Sequence, residues 1–234
     1  LRYQGGKSRI ASQIAEIIQR ERERESNVLV SLFCGSCAVE SKLSSNFDKL
    51  ICNDNNLYLI ALLQGVQNGY VLPEKISKEQ YHQIKNNKDI DKTLTGFVGF
   101  GCSFGGKWFG GYASDSTGTN YALQSKKSLL KDLIPMLNKT EFICMDYKNV
   151  VIPKGAIVYC DPPYKDTTGY GNKFNHETFW DYMRTLSKTH KVFISEQTAP
   201  DDFKCIWEKP LTRTLDRNKS NQFKSTEKLF IFNP

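Results

Sequence analysis

The sequence has no long apolar run: the longest, residues 28–33 and 156–159, are strand-sized and far short of the ~20 residues a membrane-crossing helix needs. No charged n-region with an apolar core and cleavage site opens it, so the expectation is a cytoplasmic protein with no membrane partner. Histidine is scarce, with only His82, His176 and His190 scattered along the chain. No Ser or Cys sits in a recognisable nucleophile motif, which leaves hydrolytic chemistry without visible apparatus. The seven cysteines are odd in number and irregularly spaced, so a disulfide scaffold is excluded. Those near expected strands (Cys52, Cys144, Cys160) read as small hydrophobes. Cys34 and Cys37 form a CxxC, but no second Cys or His pair stands at ligand spacing, and no metal is expected. Internal repeats and low-complexity linkers are also missing.

What is present suits a folded α/β protein. The 234 residues are 39% hydrophobic, 24% charged and 12% aromatic, a balance that supports one buried core with a modest insertion. The excess of 32 basic over 25 acidic residues gives a net charge of +7, which favours a polyanionic partner through counterion release.

Ile10, Ile14, Ile17 and Ile18 recur at helical spacing, which predicts an amphipathic helix over about 7–25 whose alternating charges at 21–25 form a solvated face. A buried strand over 28–33 breaks at Gly35 and leads into a helix from Ala38. A second strand over 49–52 ends at Asn53 and Asp54, and a helix follows to about Asn68. This βαβα order predicts a parallel, Rossmann-like sheet. Residues 69–135 lose the alternation and read as an inserted target-recognition subdomain, leaving 1–68 and 136–234 as the catalytic domain. Strands near 141–145 and 155–160, a helix over 176–189 capped by Asn175 and a strand over 192–195 resume the pattern. The last two strands, near 204–209 and 228–232, are expected to pair antiparallel around a basic loop.

Asp161, Pro162, Pro163 and Tyr164 follow the strand at 155–160, where open α/β sheets place ligands. Pro-Pro turns also serve as simple rigid loops, but chance occurrence of this tetrapeptide is on the order of one in a thousand given average proline usage. The chemistry it suits is alkylation of an exocyclic amino nitrogen, whose lone pair is delocalised into its ring. The Asp161 carboxylate and Pro162 carbonyl would accept the two amino hydrogens, and Tyr164 would stack on the base. Pro162 and Pro163 would stiffen the loop. A base inside a duplex cannot reach such a site, so it would be flipped out.

Phe33, Gly35 and Ser36 form the turn after the first strand, where Gly35 would let the backbone approach a ligand closely. Asp54 stands 19 residues after Gly35 at the end of the next strand, the place from which a carboxylate takes a ribose diol. The other reading is a cap for the helix that follows, and both roles could coexist.

Taken in order, Tyr3-Gln-Gly-Gly-Lys7, Leu32-Phe-Cys-Gly-Ser-Cys-Ala-Val39, Asn53-Asp54, Asp146-Tyr147 and Asp161-Pro-Pro-Tyr164 resemble the DNA N6-adenine methyltransferases of the Dam type through nearly the whole chain. The resemblance implies S-adenosylmethionine as cofactor, Tyr3 and Lys7 at its methionine end and at the target pocket, and Asp146 with Tyr147 at its adenine. Cys34, where that family often has Gly, and Gln4, where a small residue is common, depart from the pattern. The expected activity is site-specific N6 methylation of a flipped adenine in double-stranded DNA.

DNA contact is expected in the Gly/aromatic stretch through Lys107, Trp108 and Tyr112, and in the C-terminal basic loop through Arg217 and Lys219. A structural lid is the other reading of the former stretch. A restriction endonuclease counterpart is not readable from these residues. Two other functions fit parts of the pattern: methylation of RNA adenine or a side-chain amide, against which Asp rather than Asn at 161 argues, and a non-catalytic DNA-binding relative, against which Asp161, Tyr164 and Asp54 together argue.

Overall fold

The computed structural model describes residues 1–22, 25–164, 174–214 and 222–234. Five short strands, β1 (Val28–Ser31), β2 (Lys49–Asn53), β3 (Thr140–Ile143), β4 (Ile157–Cys160) and β5 (Lys191–Glu196), pair in parallel. Two longer ones, β6 (Phe203–Thr214) and β7 (Gln222–Phe232), form the antiparallel pair expected at the C-terminus. The sheet order is β3-β2-β1-β4-β5-β7-β6, so the last strand in sequence inserts between β5 and β6. The sheet reverses direction of growth between β1 and β4, and ligands of open α/β sheets bind outside the carboxyl ends of strands at such a switch point.

Alternation along the strands sends side chains to two cores. Leu29, Leu50, Ile157, Tyr159 and Phe193 face one side, packed with Ile10, Ile14 and Ile18. Val30, Ile51, Val158, Cys160 and Ile194 face the other, against Phe179, Trp180, Met183 and Leu186. That second cover is α7 (His176–Leu186), capped as expected by Asn175, whose side chain accepts from Thr178 N.

The first helix is shorter than its periodicity predicts. α1 covers Ala11–Glu21 because Gly5 takes φ +81° in the preceding turn and Ile10 is not yet helical. At its other end Arg22 is already extended, its guanidinium donating to the Ser26 and Asn46 carbonyls. β1 likewise ends two residues early, although Leu32 N still donates to Tyr159 O. α2 (Ala38–Leu43) and α3 (Leu57–Gln67) follow β1 and β2. The cap of α3 is Asn56, which accepts from Leu59 N, so Asp54 does not play that part.

Residues 69–135 contribute α4 (Lys78–Asn86), α5 (Lys92–Gly96), a single π turn at Phe97–Gly101 and α6 (Tyr121–Leu133). Their apolar side chains, among them Tyr81, Phe97, Phe100 and Leu129, belong to the same core as Ile14 and Leu29. α5 packs tightly on α3: a Cβ on Gly96 would lie 2.0 Å from Tyr58 O. The described cysteines are all free; five are buried, but Cys144 and Cys205 are exposed, so not every strand-end thiol is a core hydrophobe. Among the described residues no helix is long and apolar enough to cross a membrane, and no group of three or more His, Cys, Asp or Glu could hold a metal ion.

Candidate active site

A cavity of about 890 Å³ opens at the switch point, at the carboxyl ends of β1, β2 and β4. Its first wall is built by strand ends. Asn53 clasps them: its amide donates to Leu32 O and Met145 O and accepts from Met145 N, which ties β1, β2 and the segment after β3 together. Next to it, Asp54 accepts from Gly35 N at 3.1 Å and from Asn56 N at 2.9 Å. Burial pushes its carboxyl up to about 6, against the backbone donors of Asn56, Gly35 and Asn55 that pull it down. Gly35 adopts φ +49°, and a Cβ there would lie 3.2 Å from the Tyr3 ring, so a side chain would crowd the cradle.

An aromatic group forms the second wall. Phe33 lies 5.1 Å from Tyr147 and 5.8 Å from Phe174 between ring centroids, and Asp146 accepts from Lys148 N at the turn before Tyr147. Trp108 closes another side, stacked on Tyr58 at 5.2 Å and packed on Phe100 and Phe109. It is held there because Gly99 has no side chain: a Cβ would meet the Trp108 ring at 2.2 Å.

The third wall is ionic and comes from distant segments. Tyr3 packs on Phe100, and Gln4 N donates to Gly106 O, which fixes the segment before α1. From it Lys7 reaches inward, with its Nζ 2.8 Å from Asp161 Oδ1 and 3.5 Å from Glu227 Oε2. The same ammonium donates to the Tyr164 hydroxyl, which in turn donates to Glu227 Oε2. It also lies 4.4 Å from the centre of the Tyr164 ring, a cation–π contact. Lys7 is 6% exposed and Glu227 2%, whereas Asp161 keeps 19% toward the cavity. Burial and the neighbouring carboxylates push the Tyr164 phenol far up, so it stays a donor at any ordinary pH. Glu196, at the end of β5, is buried beside this cluster and pushed up to about 7, chiefly by burial.

All the residues expected at the cofactor and at the reaction line this one cavity: Tyr3, Lys7, Phe33, Gly35, Ser36 and Asp54 from the first half of the chain, Asp146, Tyr147 and the Asp161-Pro162-Pro163-Tyr164 loop from the second. Of the expected DNA contacts, Trp108 also lines it. Lys107 is exposed beside it in sequence. Tyr112 is half-buried, its hydroxyl donating to Ile76 O and its ring against Tyr81. Arg217 and Lys219 lie outside the described residues. Sequence reasoning missed Phe174, Glu40, Glu196 and Glu227. Glu40 lines the cavity from the first turn of α2, accepts from Ser31 Oγ at 2.5 Å and is pushed well up by burial. An acidic residue inside an apolar strand, as in Phe193-Ile194-Ser195-Glu196, is the signal that could have found the second of the buried carboxyls.

The family of D12 class N6 adenine-specific DNA methyltransferases matches residues 3–94 and 112–209. The chain belongs to that family. It is therefore an adenine methyltransferase, and S-adenosylmethionine as its methyl donor follows from the membership. No curated protein matches it significantly. Among solved structures it is similar to an rRNA methyltransferase from Streptomyces viridochromogenes, at 12% identity and TM-score 0.47, covering 98% of this chain and 86% of the other. It is also similar to an rRNA methylase from Streptococcus thermophilus, at 10% identity and TM-score 0.41, covering 97% and 96%. A third is a precorrin-6y C5,15-methyltransferase from Geobacter metallireducens, at 7% and 0.42, covering 95% and 87%. Likeness at this level leaves the substrate open.

Proposed function

We propose that this chain transfers a methyl group from S-adenosylmethionine to the N6 amino group of an adenine flipped out of duplex DNA. The observation that carries the reading is the meeting, in one cavity, of the Gly35–Asp54 pair with the Asp161–Tyr164 loop across the switch point between β1 and β4. At about 890 Å³ the cavity stands at the upper end of small-molecule sites, with room for a cofactor and a base side by side.

The residues present fit the cofactor. Asp54 is a half-buried carboxylate with acceptor capacity for a ribose diol, Gly35 leaves open the space that a side chain would crowd, and the tilted rings of Phe33 and Tyr147 form an aromatic wall for an adenine. Tyr3, Ser36 and Asp146 complete its binding surface. When bound, S-adenosylmethionine supplies an electrophilic methyl group on a sulfonium. The protein's part is to prepare the nitrogen. Asp161 and the Pro162 carbonyl accept the amino hydrogens and so localise the lone pair, and Tyr164 stacks on the base. The two prolines hold these acceptors still, which favours the aligned geometry over the mobile one. Lys107, exposed near the cavity mouth, is a phosphate contact, and Trp108 shapes the mouth.

The test is transfer of labelled methyl from S-adenosylmethionine to unmethylated duplex DNA, with nucleoside analysis of the product. N6-methyladenine in DNA is the expected outcome. Label appearing only in RNA, or nowhere while the cofactor binds, would overturn the substrate assignment.

A further inference from the structure

Among the described residues, one ammonium in the cluster around Lys7 stands between two carboxylates. Asp161 and Glu227 both reach the Lys7 ammonium, at 2.8 and 3.5 Å, and Glu196 is buried beside them. Glu227 comes from β7, beyond the last residue that the family matches, and the mechanism proposed above makes no use of it. Position explains what it could do. Lys7 donates to Asp161 and to the Tyr164 hydroxyl, and Asp161 is where an adenine amino group would donate. A target base and Lys7 therefore compete for the same carboxylate.

We propose that Glu227 is a positioning residue for methyl transfer, receiving the Lys7 ammonium when the target amino group takes its place on Asp161. The inference rests on the reading of Asp161 as the acceptor for that amino group. Moving a buried ammonium off one carboxylate is costly unless another charge takes it, and Glu227 Oε2 is already only 3.5 Å away. A shift of about 1 Å completes the exchange, since charge-assisted contacts settle near 2.8 Å. Glu227 also accepts from the Tyr164 hydroxyl, so the same carboxylate holds the stacking ring still while the cation moves. Between target bindings Lys7 stays on Asp161 at 2.8 Å.

The experiment combines single-turnover methyl transfer to adenine-containing oligonucleotides with nitrogen NMR of the Lys7 ammonium, using the intact protein and the Glu227→Gln and Glu227→Asp variants. Glu227→Gln keeps an acceptor for Tyr164 but removes the charge. It is expected to raise the half-saturating oligonucleotide concentration about tenfold while the affinity for S-adenosylmethionine stays within about twofold, and Glu227→Asp should recover part of the loss. Adding adenine as a probe should shift the Lys7 signal in the intact protein and leave it unmoved in Glu227→Gln. Unchanged kinetics in Glu227→Gln, a parallel loss of cofactor affinity, or a Lys7 signal that adenine never moves would overturn the proposal. If neither DNA nor RNA is methylated but the Lys7 signal still responds through Glu227, the assigned substrate and the role in transfer fall, and only the exchange of Lys7 between Asp161 and Glu227 stands.

Discussion

The two halves of the cavity are built on opposite plans. The core of the half proposed for the cofactor is local: Gly35, Asn53 and Asp54 lie within 19 residues of one another and are held by hydrogen bonds between side chains and backbone at adjacent strand ends. The target half is long-range and ionic: Lys7, Asp161, Tyr164 and Glu227 come from the N-terminal segment, the end of β4 and the last strand, and meet only in the folded chain. Short-range hydrogen bonds suit a part of a ligand that takes no part in the chemistry, whereas exchangeable ion pairs suit a group that must enter, react and leave. The difference predicts that damage to one half should spare the other.

The largest expected effect is Asp161→Ala, which should lower the transfer rate by about a thousandfold or more while leaving the affinity for S-adenosylmethionine within about threefold, because it removes an acceptor needed in the transition state. Single-turnover rates and calorimetry on the same samples would check both parts, and a lost cofactor affinity would break the separation. Asp54→Ala should do the reverse. It is expected to weaken cofactor binding by about ten- to a hundredfold, with the rate at saturation nearly unchanged, since a ribose would lose a half-buried charged acceptor.

A pH series sharpens the contrast. Asp54 is pushed up from an ordinary 3.8 to about 6, so between those values the folded protein holds a proton that the unfolded chain has released. Stability of the unliganded protein should therefore fall as pH rises through that window and level off above it, with Glu196 extending the decline toward 7. Cofactor affinity should run the opposite way, weakening as acid protonates Asp54 below about 6. Denaturant titrations and binding isotherms across pH 4–8, with Asp54→Asn as the comparison, should show the Asp54 part of both slopes vanish; slopes that persist unchanged would assign them elsewhere. The smallest effect is expected from Lys107→Ala, which should weaken nucleic-acid binding uniformly across sequences and flatten its salt dependence by about one counterion, as measured by fluorescence titration at several salt concentrations.

Much of the cavity wall around Gly35 and Asp54 was legible from residues alone, because its parts lie close together in the chain. Gly35 ends a run of β-rich residues, Asp54 follows the next such run, and strand and turn chemistry place both at the same sheet edge. The boundaries were less legible. Four helical isoleucines predict a helix from about 7, yet it begins at Ala11 because the preceding turn delivers Lys7 to the site. The other reading of Asp54, as a helix cap, falls to Asn56, which stands one residue before α3, while Asn175 caps α7 as its position predicts.

By itself the sequence determined the βαβα alternation, the position of Asp161-Pro162-Pro163-Tyr164 after a buried strand and the order of motifs that marks the family. Only the tertiary structure decided that β7 would slide between β5 and β6 and so bring Glu227 to Lys7, 220 positions away in the chain. Periodicity and turn chemistry report on a few neighbouring residues, whereas the pairing of a lysine near one end with a glutamate near the other depends on strand order, which no local pattern encodes.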